Sequence, residues 1–143
     1  RGELVAAEKS FRRAIDAKPS YAVAWNHLGF VIEQQGKLDE AAEACGRAVE
    51  LDPQLVEARN NLGMILAQQG RFDQARGHLE RAVQLEPGYA EAWTNLGLVY
   101  LDQGRSDKAA DAWRGALKAD PDFTAARLNL ERLERAPAGG GGR

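Results

Sequence analysis

Four prolines, at positions 19, 53, 87 and 121, stand 34 residues apart. Gly2, Gly36, Gly70 and Gly104 keep the same interval, as do Gly29, Gly63 and Gly97. Ala7, Ala41, Ala75 and Ala109 form a further column. Ala14, Ala48, Ala82 and Ala116 form another, and Leu28, Leu62, Leu96 and Leu130 the last. Columns in one register mean an internal repeat. A chain built this way stacks supersecondary units side by side, each burying its apolar face against the next.

The columns have a physical logic. Proline pushes the residue before it out of the helical region, so each one separates two helices and is expected at or near the start of the next. Gly36, Gly70 and Gly104 are expected to end the other helix in the left-handed conformation, which glycine adopts without penalty. Each repeat then reads as two helices of roughly 12–14 residues joined by a tight turn. Trp25, Leu28, Ile32, Leu38 and Leu51 recur at helical spacing and make the core stripe. Gly29 and Ala41, with their counterparts, mark places where the two helices approach closely.

The pattern resembles the tetratricopeptide-repeat (TPR) family, whose signature is W-x2-L-G-x2-Y, A-x3-F and a closing P at this period. The chain carries Trp25, Leu28-Gly29, Ile32, Ala41, Cys45 and Pro53 in those places. The next repeat gives Arg59, Leu62-Gly63, Leu66, Ala75, Leu79 and Pro87, and the third Trp93, Leu96-Gly97, Tyr100, Ala109, Trp113 and Pro121. Arg59 departs from the pattern, and its long stem is expected to pack while its head reaches water. The resemblance implies an all-α solenoid of antiparallel helix pairs wound into a right-handed superhelix. The expected divisions are a partial repeat at 1–19 (second helix only), full repeats at 20–53, 54–87 and 88–121, a capping helix at 122–136 and a Gly-rich tail at 137–143. The uncovered face of the partial repeat points to a fragment, to cover from another segment, or to self-association there.

Composition narrows the function. The formal net charge is −2 and basic residues are scattered, which speaks against nucleic acid. The longest nearly apolar stretch, residues 96–101, is too short to insert in a membrane. A single cysteine and two histidines leave no metal, cofactor or redox chemistry to expect. Cys45 shares a column with Phe11, Leu79 and Trp113 and reads as a small buried hydrophobe. No catalytic group stands apart, so the chain is read as a non-enzyme. Compartment is open, with cytoplasm the default.

In the family, the first helix of each pair lines the concave side. The resemblance therefore places Val23, Asn26, His27, Phe30, Glu33 and Gln34 in the groove. Glu57, Asn60, Asn61, Met64, Ala67 and Gln68 follow in the second repeat, and Glu91, Thr94, Asn95, Leu98, Leu101 and Asp102 in the third. His27, Asn61, Asn95 and Asn129 form one polar column, and a carboxamide can match the C=O and N–H of an extended peptide. This is similar to the asparagine ladder in the repeat domains of O-linked N-acetylglucosamine transferases. The competing reading is that these residues only cap or solvate. Glu33, Glu57, Glu91 and Asp102 are acidic, and the basic clamp by which chaperone-tail-binding relatives hold a carboxylate is missing. The expected partner is a protein or extended peptide, neutral or basic rather than an acidic C-terminal tail, with apolar side chains for Phe30, Met64 and Leu98. The alternatives are the substrate-recognition part of a larger enzyme, such as a glycosyltransferase, and a self-assembling scaffold.

Overall fold

The computed structural model describes residues 1–137; all but the first residue of the expected tail lies outside the described residues. Eight helices follow one another without a strand among the described residues: α1 (Gly2–Ala17), α2 (Ala22–Gln34), α3 (Leu38–Leu51), α4 (Val56–Gln68), α5 (Phe72–Leu85), α6 (Ala90–Asp102), α7 (Ser106–Ala119) and α8 (Thr124–Arg135). None is long and apolar enough to cross a membrane.

The turns follow the residues that stand in them. Gly36, Gly70 and Gly104 have φ of +80°, +74° and +73°, the left-handed conformation expected of them. The chain then doubles back so that Lys37 N–H donates to Ile32 O, closing the turn as a glycine cap does. The repeat prolines stand near the helix starts, each three residues before the first helical residue. Pro53 lies in a turn three residues before α4, where the Asp52 carboxylate accepts the Gln54 N–H at 3.0 Å. Asp-Pro makes a turn of its own before the helix begins, because the aspartate side chain satisfies the backbone there.

Within each full repeat the two helices meet on glycine. A Cβ on Gly63 would stand 2.6 Å from Leu79 Cγ, and one on Gly29 or Gly97 would collide with Cys45 Sγ or the Trp113 indole. The apolar core runs through the stack along this seam. Ala41, Ala75 and Ala109 are fully buried, and so are Cys45, Leu79 and, nearly, Trp113. Burial pushes the Cys45 thiol up to about 12, so it stays protonated and behaves as the small hydrophobe expected of it.

The curvature follows from which helices touch. α2 packs directly on α4, and α4 on α6, while no comparable contact joins α3 to α5 or α5 to α7. The first helices therefore crowd together on the inside of the bend. That face is the concave groove, and α3, α5 and α7 form the outer side.

Candidate functional site

The inner helices α2, α4 and α6 carry few charges, whereas α8 carries Arg127, Glu131, Arg132, Glu134 and Arg135. α2 holds Glu33 alone, α6 holds Glu91 and Asp102, and α4 holds Glu57 and Arg59. Arg59 does not serve the groove. Its Nε–H donates to Pro53 O at 2.7 Å, the bond that the indoles of Trp25 and Trp93 make to Pro19 O and Pro87 O at 2.9 Å. The arginine thus reproduces the donor of the tryptophan it replaces, its Nε tied to backbone while the side chain stays partly exposed.

Of the apolar residues expected in the groove, Phe30 is 49% exposed, while Met64 and Leu98 are partly buried. They occupy one column on α2, α4 and α6. Leu101, 39% exposed, extends the apolar surface toward α8. Near it a cavity of about 360 Å³ is lined by Leu98, Leu101, Trp113, Asn129, Arg132, Leu133 and Ala136.

Four of the expected lining residues, Asn26, Asn60, Thr94 and Asn95, are buried. Asn26 and Asn60 are 3% and 1% exposed, and Thr94 in the same column is 4% exposed. Because the inner helices pack on one another, this column faces the neighbouring helix and not the open groove. The polar column beside it reaches back to meet it. Asn61 Nδ2 donates to Asn26 Oδ1 at 2.9 Å, and Asn95 Nδ2 donates to Asn60 Oδ1 at 2.9 Å. Both bonds join one repeat to the one before. Asn60 in turn donates to Glu91 Oε1 at 3.2 Å. Buried amides need partners, and these supply each other's.

The four rungs are therefore unequal. Asn61 and Asn95 are committed through one N–H each, and Asn95 is only 9% exposed. His27, first in the column, is exposed and meets the Phe11 ring edge-on at 5.3 Å between centroids. Asn129, last in the column, makes no side-chain hydrogen bond among the described residues, because its counterpart to Asn60 is Thr94, whose hydroxyl donates to Ala90 O at 2.9 Å. The column at 26, 60 and 94 held this answer in sequence: two asparagines, each 35 residues before a rung, signal amide pairs between repeats.

The acids cluster where α4 meets α6. Glu57 and Glu91 are exposed, and the half-buried Tyr89 feels the charge of both. Its phenol is pushed up to about 12 by burial and then by the negative charges of Glu91 and Glu57. At the α2 end, Gln68 Nε2 donates to Glu33 Oε1 at 2.6 Å, a further tie between repeats. A second stitching row runs along the edge of the stack, where Gln35, Gln69 and Gln103 donate to Glu8, Asp39 and Asp73 at 2.8, 2.6 and 2.9 Å.

Comparison with known proteins places this arrangement among others of its kind. Two sequence profiles described as Tetratricopeptide repeat match residues 60–122 and 97–130, and residues 20–85. No curated protein matches. Among solved structures, MamA superposes with a TM-score of 0.83 at 28% identity, over 92% of this chain and 77% of that one. YrrB, described as a TPR protein with an unusual peptide-binding site, superposes with a TM-score of 0.81 at 28% identity, over 91% of this chain and 67% of that one. PilF of Pseudomonas aeruginosa gives a TM-score of 0.86 at 27% identity, over 93% of this chain and 61% of that one.

Proposed function

The chain belongs to the tetratricopeptide-repeat family, and on that premise we propose that it is a protein-interaction module whose concave face holds an extended peptide segment, neutral or basic, with apolar side chains. The observation that carries this reading is the pairing, on α2, α4 and α6, of an apolar column (Phe30, Met64, Leu98) with carboxylates at Glu57 and Glu91; basic residues enter the groove only on α8, where Arg132 continues the column. A peptide laid along the groove buries its apolar residues on that column at about 25 cal/mol per Å². Lys or Arg side chains of the same peptide meet Glu57 and Glu91, whereas an acidic tail meets like charge. The peptide-binding site of YrrB supports the general mode.

The rungs take a reduced part in this reading. Asn61 and Asn95 each keep their Oδ1 and one N–H, so they offer one backbone-matching contact apiece, while His27 and Asn129 are uncommitted. Each such bond nets about 0.5–1.5 kcal/mol, enough for weak, sequence-tolerant holding. The test is a fluorescence titration with three peptides of equal apolar content carrying basic, neutral or acidic residues. Binding is expected in that order, and Glu57→Gln/Glu91→Gln is expected to level the order while leaving the neutral peptide unaffected. Equal binding of the acidic peptide to the parent chain sinks the charge preference. Loss of all three in Phe30→Ser but not in the double glutamine variant keeps the groove and discards the acids.

A second reading is self-association through α1, favoured by Val5, which is 61% exposed. Concentration-dependent mass in light scattering is its readout.

A further inference from the structure

The groove changes character where it reaches α8. Asn61 and Asn95 tie α4 to α2 and α6 to α4 through amide pairs, whereas Thr94, in the column of Asn26 and Asn60, bonds to Ala90 O and leaves Asn129 no partner. α8 makes no contact with α6 comparable to that of α4 with α6. Between α6 and α8 lies the cavity of about 360 Å³, walled by Leu98, Leu101, Trp113 and Leu133. Its polar side chains are donors. The Trp113 indole N–H is committed to Thr94 O at 3.1 Å, while Asn129 makes no side-chain hydrogen bond and Arg132 no ion pair among the described residues. No carboxylate stands in that lining among the described residues. A guanidinium and a carboxamide against apolar walls suit an anion, because a charge pair strengthens where water is thinned.

We propose that this end of the groove takes the side-chain carboxylate of an Asp or Glu in the bound segment, paired with Arg132 and hydrogen-bonded by Asn129. The segment is then charge-polarised: a basic residue meets Glu57 and Glu91, and an acidic one meets α8. The assignment rests on the peptide-binding reading of the groove and adds the acidic residue and its place. Charge complementarity names the occupant, since the column of Phe30, Met64 and Leu98 turns to Arg132 on α8. The spacing follows from helix geometry. Ala125 holds on α8 the position of Glu91, and Arg132 lies seven residues further on. That is about 10 Å along the helix, and neighbouring helices pack about 8–10 Å apart. The diagonal is about 14 Å, which an extended chain spans in about four residues. Residues i and i+4 lie on the same face of an extended chain, so both charges reach the groove.

The experiment titrates the full chain with labelled, end-blocked peptides of equal apolar content, read by fluorescence anisotropy. One peptide carries Lys and Glu at i and i+4, a second carries Gln in place of the Glu, and a third carries the Lys–Glu pair side by side. Each is made in both chain directions. In its better direction the spaced Lys–Glu peptide is expected to bind about three- to fivefold tighter than the Gln peptide, the range of an exposed ion pair. It is also expected to bind tighter than the adjacent pair. Arg132→Gln is expected to bring the Glu and Gln peptides to equal affinity. Arg47→Gln, the same change of charge on the outer helix α3, is expected to keep them apart. Equal affinity of the Glu and Gln peptides for the parent chain overturns this assignment and leaves the groove reading standing, whereas absence of binding by every peptide overturns both. An advantage of the Glu peptide that survives Arg132→Gln removes the carboxylate from α8. Full affinity restored to the Gln peptide by a free terminal carboxyl overturns the side-chain source in favour of a chain end.

Discussion

In the third repeat Trp93 lies over Gly115, where a Cβ would stand 2.8 Å from the indole, and Ala112 beside it is 4% exposed. In the second repeat the same three columns hold Arg59, Arg81 and His78. Both arrangements deliver an N–H to the proline carbonyl six residues upstream, at 2.9 Å from Trp93 and 2.7 Å from Arg59. One repeat fills the space with a large ring on small neighbours, and the other spreads the volume over an arginine and an imidazole. The first repeat sides with the third, pairing Trp25 with Ala44. What the column preserves is a donor and a packed volume, not a residue. Beside His78 a cavity of about 530 Å³ is lined by Leu62, Leu66, Asp39, Glu43 and Arg71 among others, and the corresponding cavity of the first repeat, lined by Trp25, Leu28, Ile32 and Ala44 among others, is about 310 Å³.

The sharpest way to break the comparison lies on the seam below it. Gly97→Ala drives a Cβ into the Trp113 indole, which is held by its own N–H bond to Thr94 O at 3.1 Å. Gly63→Ala meets Leu79, whose branched end can turn aside. Denaturant unfolding is expected to show a loss of about 3 kcal/mol for Gly97→Ala and about half that for Gly63→Ala. Equal losses imply that the ring yields as easily as the leucine, and that the third repeat is no more tightly specified than the second.

Next in size is the committed rung. Asn95→Ala removes the donor to Asn60 Oδ1, which is buried, so a cost of about 1–3 kcal/mol is expected. Asn129→Ala, at the same column but unbonded, is expected to change stability by less than about 0.5 kcal/mol. If the two variants unfold alike, the amide pairs are not stabilising the stack, and all four rungs return to equal candidacy as ligand contacts.

The exchange itself is tested by a cycle. Arg59→Trp alone places a ring against His78, and His78→Ala alone leaves Arg59 over an enlarged cavity. Both single variants are expected to lose stability, and the double variant, which restores the pairing of the other repeats, to recover about 1–2 kcal/mol relative to the sum of the two. Additive losses mean that the two columns are independent.

These contrasts also show how far the residues speak for themselves. The helix pairs, the left-handed glycines and the close seam at Gly29, Gly63 and Gly97 were legible because each needs a residue type that sterics dictate. The position of Asn26 and Asn60 was not. A helix column carries no mark of whether it faces a groove or the next helix, since that depends on how tightly α2, α4 and α6 crowd together. Nor did Arg59 announce its bond to Pro53 O, because a side-chain donor is read from geometry and not from side-chain class.

The smallest effect concerns protons. Burial, and then the positive charge of Arg59, hold the His78 imidazole below its ordinary value of 6.5. Asp39, Glu43 and Arg71 line the same cavity. In the unfolded chain the imidazole takes up its proton near pH 6.5, while in the folded chain it resists. Stability contributed by the neutral ring is therefore fully present above about pH 6.5, declines as pH falls below it, and levels off below the folded value. Carboxylates titrate over part of that range, so the measurement is a difference: melting temperature at pH 7.5 minus that at pH 5, for the parent and for His78→Ala. The parent is expected to lose about 2 °C more than the variant. The same substitution returns the second repeat to the alanine of the other two, so identical pH profiles would mean that the cavity already lets water reach the ring, and that the looser packing of this repeat extends to its polar atoms.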